Sequence, residues 1–135
     1  MIDIENKIYT IIKEALIEEY GDANFNISSV EQNAPAKFPA VSFVESDNYT
    51  DNFSIDSNSN ENFANVLYEV NVYSNDKNKK KSECKGIISF IDDIMLDLGF
   101  TRSFLNPIPN ADNSIYRMVA RYVAKIDKNN KIYRR

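Results

Sequence analysis

Histidine is absent from this sequence, and so is tryptophan. The first absence removes the commonest general base and the commonest transition-metal ligand. Neither a Ser-His-Asp nor a Cys-His site can therefore be assembled within this chain. The single cysteine, Cys84, cannot form an intramolecular disulfide, which suits a reducing compartment. With three glycines and four prolines, the chain is too poor in breakers for a linker-rich array. No apolar run approaches the roughly 20 residues needed to span a bilayer. The opening Met1-Ile2-Asp3-Ile4-Glu5 lacks the basic flank and apolar run of a signal peptide. Positive charge is outweighed: 16 Lys and Arg against 20 Asp and Glu give a net charge of −4 and a pI near 4.9. Affinity for duplex DNA comes mainly from neutralising phosphates, so specific nucleic-acid binding by the domain as a whole is not expected.

What is present is core material. Apolar residues make up 43% of the 135 positions, among them eight Tyr and eight Phe. A chain of this length fits one domain and buries about two thirds of its unfolded surface. Residues 3–20 predict a helix, with Ile4, Ile8, Ile11, Ile12, Ala15 and Leu16 on one stripe. Asp3 is the expected N-cap and Gly21 the stop. A short strand is expected at 26–30 and a firmer one at 40–45, "AVSFVE". Residues 46–62 are rich in Asp, Asn and Ser and predict either a long hairpin loop or a hairpin whose tip is polar. Residues 63–73 alternate as a strand. Val66, Tyr68, Val70 and Val72 share its core face, and Leu67, Glu69, Asn71 and Tyr73 the other. A second helix over 80–98 carries Cys84, Ile87, Ile88, Ile91, Ile94, Met95 and Leu98 on one stripe and ends at Gly99-Phe100 in a Schellman-like stop. Two more strands, 101–106 and 115–126, flank the loop 106–114.

The expected fold is α+β: a mainly antiparallel sheet of four to five strands with two amphipathic helices on one face, in the order α-(β)-β-β-α-β-β. The domain is expected over 1–127. A polar tail follows at 128–135, in which Ile132 and Tyr133 are able to dock.

Few constellations carry chemistry. Asp56, Asn58 and Asn60 open like a calcium loop, but the glycine and glutamate it needs are replaced by Glu61 and Leu67. Asp92, Asp93 and Asp97 gather on the second helix, where a solvated face outweighs acid–base or metal work. Cys84 falls on the apolar stripe as a small buried hydrophobe. No catalytic, metal or cofactor site is assigned. Arg117, Arg121 and Lys125 project from one strand face with Val119 and Val123 between them. That mixture of apolar and cationic groups suits either a protein interface or an ordinary solvated strand. Glu69 is a candidate cross-strand or cross-subunit partner. Lys79, Lys80 and Lys81 open the second helix against its dipole. They are read as a solvated helix entrance, a contact for an acidic protein partner, or a nucleic-acid patch, in that order.

The layout as a whole resembles the tail terminator (tail completion, or neck) proteins of tailed bacteriophages and of phage-tail-like bacteriocins. The resemblance rests on an N-terminal helix, "FPAVSF" (Phe38–Phe43), a long polar hairpin, "YEVNVYSN" (Tyr68–Asn75), a Lys-led helix ending in "LGF" (Leu98–Phe100), and a terminal R-x-x-x-R-Y strand (Arg117–Tyr122). It implies a non-enzymatic homo-oligomeric ring, commonly a hexamer, assembled in a bacterial cytoplasm. The ring caps the head-proximal end of a tail tube, stops its polymerisation, and meets the tube protein and a sheath, neck or head-side connector. By that analogy the 46–62 hairpin, with Tyr49, Phe53 and Ile55, contacts neighbours or the tube. The face of Arg117, Val119, Arg121, Val123 and Lys125 would meet a neighbour or line the ring, and Glu69, Asn71 and Lys79–Lys81 are further candidates for subunit or partner contact. The competing expectations are a head–tail connector of the same particle, a DNA-binding accessory acting through the lysines, and a small metal-dependent enzyme using Asp92 or Asp93.

Overall fold

The computed structural model describes residues 1–21, 26–28, 38–50, 63–109 and 113–133. Along the chain come α1 (Glu5–Tyr20), β1 (Asn26–Ser28), β2 (Ala40–Thr50), β3 (Phe63–Ser74), α2 (Lys80–Leu98), β4 (Thr101–Pro107), β5 (Tyr116–Asp127) and β6 (Ile132–Tyr133). The strands form one sheet in the order β1-β2-β3-β5-β4, with β6 paired to β5 beside β4. The class is α+β, as the pattern predicts.

Three expectations change. Among the described residues the sheet has six strands rather than four or five, and it is mixed, because β1 runs parallel to β2. The expectation assumed hairpin-length links throughout. The eleven residues between Ser28 and Ala40 instead come close to the dozen that a parallel crossover requires. Second, β2 runs on to Thr50 through a bulge between Glu45 and Asp47, in register with β3 as far as Ala64. The Asp, Asn and Ser residues of this stretch favour turns in isolation, and cross-strand pairing overrides that preference. Third, the sheet does not stop at 127. Asp127 Oδ1 accepts the backbone N–H groups of Asn129 (2.8 Å) and Lys131 (2.9 Å). Asn130 takes a left-handed φ of 65°, and the chain returns so that Ile132 pairs with Ile126.

Both helices share one core with one face of the sheet. Ile8, Ile12 and Leu16 of α1 and Cys84, Ile87, Ile88, Ile91 and Met95 of α2 pack with Val41, Phe43, Val66, Tyr68, Val70, Val72, Ala120, Tyr122 and Ile126. Each large aliphatic or aromatic side chain buried this way contributes about 1.5–3 kcal/mol. Tyr68 and Tyr122 face each other across the β3–β5 ladder at the centre of this layer, both fully buried. Their hydroxyls take different acceptors, one on β2 and one on α2. Tyr68 donates to Glu45 Oε1 (3.2 Å) and Tyr122 to Asp92 Oδ1 (2.8 Å). Each phenol thus fills the core while its polar tip reaches a carboxylate at the rim.

The helix ends follow local chemistry with small departures. At α1 the capping position is Ile4, which makes no side-chain bond. Asp3 acts one residue upstream and accepts the Glu5 N–H at 3.0 Å. α2 ends in the expected Schellman stop: Gly99 is left-handed (φ 106°), and its N–H and that of Phe100 bond Leu96 O and Met95 O. Phe100 folds back into the core against Tyr68, with ring centroids 5.6 Å apart.

Candidate interaction face

The face of the sheet away from the helices carries the second side-chain set of each strand, and register decides who meets whom. Opposite Arg121 stand Glu69 on β3 and Phe104 on β4. Opposite Arg117 stands Tyr73, opposite Val119 stand Asn71 and Asn106, and opposite Lys125 stand Asn65 and Tyr133. Arg121 Nε donates to Glu69 Oε2 at 3.0 Å. Asn71 Nδ2 donates to Glu69 Oε1 (3.2 Å). Arg117 donates from Nε and Nη2 to Asn71 Oδ1, at 2.9 and 2.7 Å. Four residues predicted to share a face are therefore one hydrogen-bonded chain running Arg117–Asn71–Glu69–Arg121.

Each cation also lies over an aromatic ring. Arg117 sits 5.7 Å from the Tyr73 centroid, Arg121 4.8 Å from Phe104, and Lys125 5.6 Å from Phe63. Guanidinium over a ring combines electrostatic attraction with apolar contact. The cations are held flat, half-buried, and pre-organised rather than extended into water. Beside them Leu67 and Val123 are half-buried. Asn71 and Val119 are fully buried, so they support this face from beneath and present no surface of their own. Arg117 lies against Asn71, bonded to its Oδ1. Ser42 is also buried on this side, and its Oγ has no hydrogen-bond partner among the described residues.

The three rings are what sequence reasoning misses. Alternation puts Tyr73 on the correct face without a role, and it gives Phe63 only as a strand terminus. Phe104 is brought opposite Arg121 by a bulge between Arg102 and Phe104, which alternation alone does not reveal.

The other expected contact residues scatter. Tyr49 lies on β2 opposite Asn65 and is among the most exposed large apolar side chains, at 47%. It belongs to a strand, as the hairpin alternative for 46–62 allows and the loop alternative does not. Phe53 and Ile55 lie outside the described residues, as do Asp56, Asn58, Asn60 and Glu61 of the calcium-loop fragment. Lys79 and Lys81 are exposed, and Lys80 Nζ reaches Asn113 O at 3.5 Å. The turn before them is fixed by Asp76, whose Oδ1 accepts the N–H groups of Asn78 and Lys79, both at 3.0 Å. Ser74 Oγ donates to Glu83 Oε1 (2.7 Å) and ties that corner to the first turn of α2.

The acidic groups take structural partners. Asp92 accepts Tyr122 and pairs with Arg102 at 3.0 Å, while Asp93 and Asp97 are exposed. A cluster not anticipated brings Asp3, Glu5 and Glu45 carboxylate oxygens within 4.8 Å of one another. Burial, then repulsion from Glu5 and Asp3, pushes the Glu45 carboxyl above its ordinary value, against hydrogen bonds from Tyr68 and Asn48. Cys84 donates to Val72 O and Tyr116 O, each at 3.5 Å. Its thiol is pushed up to about 12 by burial, with Glu83 adding. At neutral pH it is a protonated core residue and not a nucleophile.

No protein-family model and no curated protein matches this chain.

Proposed function

We propose that this protein is a structural assembly protein of the tail-terminator kind. It would form a closed ring, six-fold by the resemblance, at the head-proximal end of a phage or phage-tail-like tube. There it ends tube polymerisation and joins the tube to a sheath, neck or head-side connector. Such a particle would be assembled in a bacterial cytoplasm. The observation that carries the reading is the sheet face that the helices leave uncovered, where Arg117, Arg121 and Lys125 are stacked on Tyr73, Phe104 and Phe63 beside Leu67 and Val123. Pre-ordered arginine and aromatic side chains with half-buried apolar neighbours are the composition of protein interfaces and of their energetic centres. Holding the cations over rings lowers the entropy lost when a partner arrives. A head-to-tail contact of this kind closes into a ring when its rotation permits.

Native mass spectrometry of the protein, alone and with a tube protein of a phage-like tail, tests this. A closed oligomer is expected, with electron microscopy placing it at one end of each tube and tubes shortened in its presence. An Arg121→Glu variant is expected to fold and lose that activity. A chain that stays monomeric both alone and with the tube protein refutes the proposal.

A further inference from the structure

Arg121 is held from two sides and left open on a third. Its Nε donates to Glu69 Oε2 at 3.0 Å, and its guanidinium carbon lies 4.8 Å from the Phe104 ring centroid. Glu69 is itself held, because its other oxygen accepts Asn71 Nδ2. Asn71 Oδ1 in turn is gripped by Nε and Nη2 of Arg117. A carboxylate and a ring thus fix the guanidinium of Arg121. Its terminal edge is not used: Nη1 and Nη2 donate to nothing among the described residues, and 41% of the side chain is exposed. Arg117 differs, since two of its nitrogens converge on one amide oxygen. Lys125 has no fork to offer. A guanidinium edge with two parallel N–H groups matches the two oxygens of one carboxylate.

Register shows what lies beside that edge. Two residues along β5, Val123 stands opposite Leu67 on β3, and both are half-buried. Side chains two apart on a strand share a face and stand about 7 Å apart, so an apolar pair adjoins the fork. We propose that Arg121 anchors this face by receiving, end-on, the side-chain carboxylate of an Asp or Glu on a partner protein. An apolar side chain next to that residue seats on Leu67 and Val123. Two features select a protein carboxylate over a run of phosphates. The apolar pair offers contact to a polypeptide side chain and nothing to a phosphate. A phosphate backbone would also lie against Glu69, against Asp47 opposite Leu67, and against a chain of net charge −4. The inference rests on the reading of this face as an interface and adds what the partner brings to it.

NMR titration of the full chain, read at the Arg121 side-chain N–H groups and at the Leu67 and Val123 methyl groups, tests it. The probes are acetyl-Leu-Glu-Leu-amide, the same peptide with Gln for Glu, and a single-stranded oligothymidylate. The Glu peptide should move both sets of signals, and the Gln peptide should bind about tenfold more weakly. Arg121→Lys keeps the charge and loses the fork. It should weaken binding of the Glu peptide by about tenfold and leave the Gln peptide unaffected. Circular dichroism confirms that the variant is folded. No response to the Glu peptide, an equal response to the Gln peptide, or Glu-peptide binding unchanged in Arg121→Lys overturns the proposal. A stronger response at Arg121 to the oligothymidylate overturns it in favour of nucleic acid. These results are separate from the test of the ring. An Arg121→Lys chain that binds the Glu peptide normally and still caps tubes removes the anchor and leaves the tube-capping reading. A chain that shows the expected titration and stays monomeric with the tube protein removes the ring and leaves the anchor.

Discussion

The same substitution, glycine to alanine, should change stability in opposite directions in the middle of α2 and just past its end. Gly86 is an exposed interior position of the helix, and a Cβ there meets nothing within 4 Å. Gly86→Ala therefore recovers the helix propensity that glycine forfeits, about 0.5–1 kcal/mol. Gly99 is different. Its φ of 106° is the left-handed stop of α2, and a Cβ there would come within 3.1 Å of Ile132 Cγ2. Gly99→Ala then costs about 1–2 kcal/mol in backbone strain alone, and Ile132 must give way in addition. A chain of 135 residues has an unfolding entropy near 0.28 kcal/mol/K, so 1 kcal/mol moves Tm by about 3.5 °C. Gly86→Ala should raise Tm by about 2–4 °C and Gly99→Ala should lower it by about 4–7 °C. Differential scanning calorimetry at fixed protein concentration measures both. If Gly86→Ala lowers Tm, or if both variants move the same way, the contrast between an open helical glycine and a left-handed one is refuted. Concentration has to be fixed because self-association would itself shift Tm.

The two buried tyrosines give further tests. Burial first, with the paired carboxylate adding, raises Tyr68 and Tyr122 well above the ordinary phenol value. Their folded values exceed their unfolded ones, so the stability they contribute is complete below about pH 10 and is lost as pH rises beyond it. In an alkaline absorbance titration two phenols should ionise only with global unfolding, and ionisation of every tyrosine in the folded protein would contradict this. Tyr122→Phe leaves Asp92 paired with Arg102 and should cost about 1 kcal/mol, whereas Asp92→Ala strands the buried Tyr122 hydroxyl and should cost about 1–3 kcal/mol. The reverse order in chemical denaturation would show that the hydroxyl has another acceptor. Glu45 is also raised, so its contribution to stability is present at low pH and lost as pH rises through its folded value. Charged Glu45 is then a liability at neutral pH. Glu45→Gln keeps an oxygen for Tyr68 and should stabilise by about 0.5 kcal/mol at pH 7, with the difference vanishing below about pH 4. Denaturant midpoints across that range decide it.

Much of the fold is legible in the sequence because its signals are local and repeated. The stripe from Cys84 to Leu98 repeats over several turns, and Gly99-Phe100 closes it with a motif whose geometry glycine dictates. The alternation in β3 and β5 sorts core from open face correctly, since a period of two leaves no third choice. What escapes depends on partners far along the chain. Asp47, Asn48 and Tyr49 look like loop residues until β3 supplies Leu67, Val66 and Asn65 opposite them. The parallel pairing of Ile27 with Val41 leaves no mark in a three-residue strand. Asp127 is legible as polar, but its role emerges only when it gathers the N–H groups of Asn129 and Lys131 and the Tyr133 hydroxyl.

The candidate face divides along the same line. Sequence alternation identifies Arg117, Arg121, Lys125, Glu69 and Asn71 as neighbours, because membership of a face is a local property. Whether those charges stand in solvent or lie down on the sheet is not local. It depends on Phe104 arriving opposite Arg121 through a bulge and on Phe63 lying beneath Lys125. A half-buried surface ion pair such as Arg121–Glu69, at 41% and 19% exposure, adds about 1 kcal/mol or less to stability. Stability alone therefore gives weak reason for four linked polar residues and three stacked rings on one sheet face. Pre-organisation for a partner gives a stronger one, since a side chain already immobilised loses little entropy on binding. On the helix side, Asp76 caps the turn and Glu83 supplies an acidic residue in the first turn, so Lys79 and Lys81 stand exposed at a start that other residues already stabilise.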